Sequence, residues 1–273
     1  MGDEMKTFKM YNLALIALIG VMITGCAPMA ITGSADVNKT AFGAKKKFAV
    51  VSINSTKTFQ GEQSISQQFT SNDKIAGTNT QPILDKLSPK IINALGKSRH
   101  FTLVPERTVL ASKAYKALSE DEKSFKILFI PVEMNAANNY KYLDLSDEKK
   151  FAKLAKDLGV DGVIGIQMNF SIASSGWHVA GFGKKSYSST VGITAIAFNK
   201  DGTVIWKDST MKEAEPGDTR AIILIDPNTF VATDFEKFHP SAVEIGSKAV
   251  DVLLARFDDT VSGKGTSMFQ SFK

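Results

Sequence analysis

The side chains of this sequence that could do chemistry are few and far apart. There is one cysteine, Cys26, and there are three histidines, His100, His178 and His239, in 273 residues. The histidines fall in separate segments with no metal-ligand spacing between them, so no metal site is expected. A Gly-X-Ser-X-Gly nucleophile elbow is absent. The stretch "GFGKKS", residues 181 to 186, lacks the first glycine of a phosphate-binding loop and carries Lys185 where Ser or Thr would follow the lysine. It reads as a glycine-rich hairpin tip. Glu120, Asp121 and Glu122 cluster at a helix-to-strand junction, where they read as solvated. Asp161 lies between apolar strand residues and must be bonded or exposed, and one carboxylate makes no acid–base pair. The expectation is a chain that is not an enzyme and holds no cofactor.

Cys26 stands apart because of its neighbours. Lys6 and Lys9 form a small positive region, for which Met5 is the better start, and Leu13 to Thr24 form a 12-residue apolar core. As a helix that core spans about 18 Å, too short for a hydrocarbon layer of about 30 Å. The quartet Ile23-Thr24-Gly25-Cys26 resembles a bacterial lipobox. In such signals the chain is cut before the cysteine, the thiol receives diacylglycerol, and the new amine takes a further acyl chain such as palmitate. A lone thiol in an exported protein has no intramolecular disulfide partner, which fits a modified residue. Each buried methylene contributes ~0.8 kcal/mol, so several acyl chains on one residue hold firmly. Ala27 in place of aspartate favours sorting to the outer membrane, facing the periplasm. Residues 1–25 are therefore expected to be a signal peptide, with Cys26 the lipid attachment site.

Composition and patterning bound the mature chain. Apolar residues make up 43% and charged residues 22%, enough for a full core without long disorder. The net charge of +5 is mild and no basic stripe gathers it, so nucleic acid is not an expected partner. Residues 26–46 read as a flexible tether. A strand is expected over Phe48–Ile53, then a polar stretch over 55–80, and a helix with Ile83, Leu84, Leu87, Ile91, Ile92 and Leu95 on one face, with Ser88-Pro89 either starting it or kinking it. Further expectations are a strand at 99–104, a helix opened by Pro105, a strand over Lys126–Val132, and a helix from near Asp147 to Gly159. Ile166, Met168, Phe170 and Ile172 alternate with Gln167, Asn169 and Ser171, which predicts a half-exposed strand. A second strand runs through "SSTVGITAIAFN", the turn "NKDG" leads into "TVIWKDST", and Pro240 starts a last helix. Residues 258–273 read as a loose tail. The order of elements predicts a single α/β domain, over 47–257, with a mixed sheet flanked by helices and a long antiparallel hairpin in its second half.

The hairpin tip, "SSGWHVAGFGKKSY", is the oddest segment. Trp177, Val179 and Phe182 either fold back onto the sheet or contact a partner or membrane interface.

Four stretches, "KFAVVSIN", "NALGKSRHFTLVPERTVL", "LAKDLGVDGVIGIQMNF" and "GITAIAFNKDGTVIWKDST", together resemble the curli-secretion outer-membrane lipoprotein family and the related N-terminal domain of the Tol-system translocation protein. The likeness covers roughly residues 47 to 257 as a pattern of elements. In that family a ring of subunits gives two hairpins each to a transmembrane barrel. Ile166 to Ile172 and Val191 to Phe198 approach the alternation such a hairpin needs. A second hairpin would fall in Thr203 to Ile225, where "MKEAEPGDTR" is polar.

The expected protein is an outer-membrane lipoprotein, held by its lipid anchor, whose periplasmic domain assists envelope assembly or secretion through contacts with other envelope proteins, possible self-association included. The alternatives are an oligomeric curli-type channel, and a periplasmic ligand-binding protein or enzyme with the 55–80 stretch as its lid.

Overall fold

A computed structural model describes residues 35–61, 77–127, 130–174, 185–214, 222–226 and 231–264. Within them the strands are β1 (Asp36–Val37), β2 (Lys47–Thr56), β3 (Thr102–Leu103), β4 (Ser124–Ile127), β5 (Ile130–Ala136), β6 (Gly162–Ser174), β7 (Lys185–Asn199), β8 (Val204–Glu213) and β9 (Ile222–Ile225). The helices are α1 (Gln81–Gly96), α2 (Glu106–Ala111), α3 (Lys113–Ala117), α4 (Glu148–Leu158) and α5 (His239–Val261). One mixed sheet runs β1-β8-β7-β6-β2-β5-β4, with β3 also on β2 and β9 also on β7.

β2 is apolar without alternation because it is buried on both faces, with Phe48, Ala49, Val51 and Ile53 fully enclosed. It pairs in parallel with β6 and with β3, and its far end pairs antiparallel with β5. Asp161 fixes the parallel register. Its amide donates to the Lys47 carbonyl at 2.8 Å, and its carboxylate accepts the Lys47 amide at 2.9 Å. At the next residue only glycine fits: a Cβ on Gly162 would lie 2.5 Å from the Phe48 ring and 2.9 Å from the Phe198 carbonyl oxygen.

Helices cover both faces. α1 and α5 pack on each other and on the face of β6 and β7 that carries Met168 and Ile193. Aromatic rings fill the space beneath: Trp206 of β8 lies 4.5 Å from Phe257 of α5, and Phe42 lies 5.0 Å from Phe257 and 5.1 Å from Phe48. On the other face Phe151 of α4 meets Phe198 at 4.7 Å. α4 starts on Asp147, whose carboxylate accepts the Lys150 amide, and ends on Gly159 in the left-handed region, as its sequence signals predict.

Several expectations are corrected. The tether is folded from Asp36: β1 pairs with β8, and Phe42 enters the core. The expected strand at 99–104 reduces to Thr102–Leu103. The helix after Pro105 breaks at Ser112, which is extended and caps α3 through its hydroxyl. Lys126–Val132 is not one strand, because β4 and β5 pair antiparallel across residues 128 and 129. The helix near Ser88-Pro89 is continuous from Gln81, with Pro82 in its first turn and Pro89 on an exposed side. The tail begins later than 258, since α5 continues to Val261. β8 and β9 make no second hairpin. They lie end to end along one edge of β7, β8 against Thr190–Phe198 and β9 against Lys185–Ser188.

One buried ion pair ties α5 to the sheet. The Arg256 guanidinium donates from Nε and Nη2 to the two Asp208 oxygens at 3.0 and 2.8 Å, and the Asp208 side chain has no solvent exposure. Burial pushes the Asp208 carboxyl above its usual range despite the Arg256 charge beside it. Arg256→Met strands that carboxylate and should destabilise the fold by about 3–5 kcal/mol. The double variant Asp208→Leu/Arg256→Met should recover most of the loss in urea unfolding, and equal destabilisation by both would refute this account.

Candidate interaction surface

β6 and β7 form the longest ribbon in the molecule, paired without interruption from Gly162–Asn199 to Ser174–Tyr187. At about 3.3 Å per residue it extends some 40 Å. Its two faces differ in kind. The apolar face carries Met168, Phe170, Ile172, Tyr187 and Val191 and is buried, with Ser189 sharing a hydrogen bond of 3.1 Å with Ser241 of α5. Phe59 packs between Phe170 and Phe238, closing that side. This is the face that a lipid-facing hairpin would turn outward.

The opposite face is covered where Gly165 meets Leu145 and Phe151, and further along β6 it is polar. Gln167, Asn169 and Ser171 of β6 lie beside Thr194, Gly192 and Thr190 of β7, and Ser209 and Met211 of β8 continue the rows. All but Thr190 are half-exposed. The Thr194 and Ser209 hydroxyls share a hydrogen bond of 2.9 Å, and the Ser171 hydroxyl reaches the Thr190 carbonyl at 3.4 Å. A Cβ on Gly192 would fit in ordinary contact with Asn169, at 3.8 Å from its Cβ. The result is a field made mostly of amide and hydroxyl groups, with Met211 opposite Gly192. The alternation of β6 announces the polar face, but the side-by-side alignment of three strands depends on register, which no single strand carries.

The titratable candidates of the sequence come to separate places. His100 Nε2 lies 2.6 Å from Asp258 Oδ1, and Arg99 donates to both Asp258 oxygens at 3.0 and 2.6 Å. His239 stacks on Phe59 at 6.0 Å, and burial lowers its pKa. Its Nε2 is buried with no hydrogen-bond partner among the described residues. Asp161 is the register clamp on Lys47, with Lys46 and Lys200 each 3.8 Å away. The acidic cluster is not simply solvated. Glu120 accepts the Tyr142 amide at 2.9 Å, and Asp121 accepts the Asp144 amide at 2.8 Å and pairs with Lys150. These two carboxylates pin the 140–144 segment across β2, where Ser52 and Asn54 bond the Lys141 and Leu143 carbonyls. Among the described residues no group of three or more His, Cys, Asp and Glu could hold a metal ion. No helix there is long and apolar enough to cross a membrane. Cys26, His178, Trp177, Val179, Phe182 and positions 62–76 of the polar stretch lie outside the described residues.

No family model matches the chain, and no curated protein matches it. Solved structures give distant likenesses. One is the LpoB C-terminal domain from Salmonella enterica, at 14% identity over 63% of this chain and 85% of that one, with a TM-score of 0.32. Another is the PelC dodecamer from Paraburkholderia phytofirmans, at 9% identity over 78% and 87%, with a TM-score of 0.28. A third is a neuraminyllactose-binding hemagglutinin homolog from Helicobacter pylori, at 8% identity over 81% and 90%, with a TM-score of 0.31. Scores this low carry no functional argument, and the curli-secretion likeness rests on the sequence pattern alone.

The Asp258 clamp generates a pH test. The Arg99 guanidinium, with His100 beside it, holds the Asp258 carboxyl down to about 2. A depressed folded-state pKa contributes stability that is present above the ordinary carboxylate range and is lost as pH falls through about 2. The difference in urea midpoint between the natural protein and Asp258→Asn should therefore be largest near pH 5 and shrink toward pH 2. A difference independent of pH would show that the carboxylate charge is not what the clamp uses.

Proposed function

We propose that the chain is an outer-membrane lipoprotein acylated at Cys26, whose α/β domain faces the periplasm and serves envelope assembly or secretion by binding other proteins rather than by catalysis. The observation that carries the protein-contact reading is the open polar face of β6, β7 and β8. It offers rows of hydrogen-bonding groups aligned across three paired strands. The anchoring reading rests on Ile23-Thr24-Gly25-Cys26 behind a short apolar core.

Two measurements test the two halves. Cys26→Ser should move the protein from the membrane fraction to the soluble periplasmic fraction. A variant that still sediments with membranes after a salt wash would defeat the anchor. For the surface, a photo-crosslinker at Asn169 in cells should give discrete protein adducts that one at Lys97, on the far side of the sheet, does not. Equal patterns at both sites would remove the open face from the proposal.

A further inference from the structure

The helical side that carries α4 holds a depression lined by none of the residues of the open sheet face. α2 and α3 are one helical run broken at Ser112, whose hydroxyl donates to the Val109 carbonyl at 2.7 Å and accepts the Tyr115 amide at 3.1 Å. Between α3 and α4 lies a groove of about 540 Å³. A hollow of about 220 Å³ extends it along α2 to Val104, the two sharing Ala114 and Asp157. The floor is apolar, with two small residues, Ala114 and Ala117, beside Leu118 and Leu154. The rim is basic, with Lys113, Lys149 and Lys153 at its edges.

The acidic groups in the groove are already engaged. Asp147 caps α4 through the Lys150 amide, and Asp157 pairs with Lys153. Lys113 and Lys149 have no carboxylate partner among the described residues. An apolar trough with unmatched ammonium groups on its lip is complementary to a rod with one apolar stripe and flanking carboxylates. The size agrees: α4 has 11 residues, so its wall is about 16 Å long and accommodates roughly three helical turns. Alanines on the floor let a helix axis approach to about 8–10 Å.

We propose that the α3–α4 groove binds an acidic amphipathic helix of a partner protein, its apolar stripe on Ala114, Ala117 and Leu118 and its carboxylates against Lys113 and Lys149. The site shares no residue with the open sheet face.

The test uses the lipid-free full chain carrying Cys26→Ser and two fluorescent peptides of about 14 residues, long enough to fill the groove. Both have the same Leu/Ala stripe; one is flanked by Glu and the other by Lys. Fluorescence anisotropy should show the Glu peptide binding about tenfold or more tighter than the Lys peptide. Lys113→Glu/Lys149→Glu should reverse that preference. Ala117→Trp, at an exposed position, should weaken the Glu peptide about tenfold by filling the trough. Far-UV circular dichroism checks that each variant keeps the fold. No binding of the Glu peptide, equal binding of both peptides, or indifference to Ala117→Trp overturns the proposal. Binding of phosphatidylglycerol vesicles in place of the Glu peptide overturns it too, because the surface would then recognise anionic lipid.

Discussion

Everything in this fold is hung from the parallel pairing of β2 with β6, and that pairing is set by two hydrogen bonds between Lys47 and Asp161. Parallel neighbours cannot be joined by a tight turn, so the whole chain from Lys57 to Val160 serves as the crossover. α1, the β3–α2–α3 run, the β4–β5 pair and α4 all lie within it. On the other flank of β6 the arrangement changes, and the chain proceeds by antiparallel neighbours through β7 to β8. A one-residue slip at the Lys47–Asp161 contact would turn the enclosed face of β6 toward water. Gly162 guards against it, since the ring of Phe48 occupies the space of its missing side chain.

The two helical layers are attached by different physics. α5 is held by aromatic packing of Phe257 on Trp206 and Phe42, by the enclosed Asp208–Arg256 pair, and at its end by Asp258 with Arg99 and His100. A buried pair of charges is weak support for stability but strict about geometry, because either partner alone would be left desolvated. The α4 side is held by fewer rings and by backbone amides received by Glu120 and Asp121. It also keeps accessible troughs, while Phe59, Phe235 and Phe238 are buried on the α5 side.

Much of this was legible in the residues. The alternation of Ile166 to Ile172, the caps of α4 at Asp147 and Gly159, and the turn before β8 all act within a few positions, so local pattern is enough. What failed was what depends on distant partners. The run read as one strand at Lys126–Val132 is two, because pairing with Glu133 and Val132 decides where it folds back. Glu120 and Asp121 look solvated until amides more than twenty residues away arrive. Asp258 looks like tail because its partners, Arg99 and His100, are about 160 positions earlier in the chain. The open sheet face was half visible: one strand showed its polar side, but the neighbours that widen it into a plate are matters of register. The groove left no signal beyond lysines on a helix, which usually mean only solvation.

The sharing of one β7 edge by β8 and β9 has an evolutionary consequence. Each of the two strands takes its register from β7 directly, through Thr190–Glu213 in one case and Ser188–Ile222 in the other. Neither borrows alignment from its companion. A change of chain length between Glu213 and Ile222 therefore displaces no ladder bond that β8 or β9 makes with β7. Such a position is a natural graft point, where new peptide can be trialled on a scaffold that does not have to be re-solved each time.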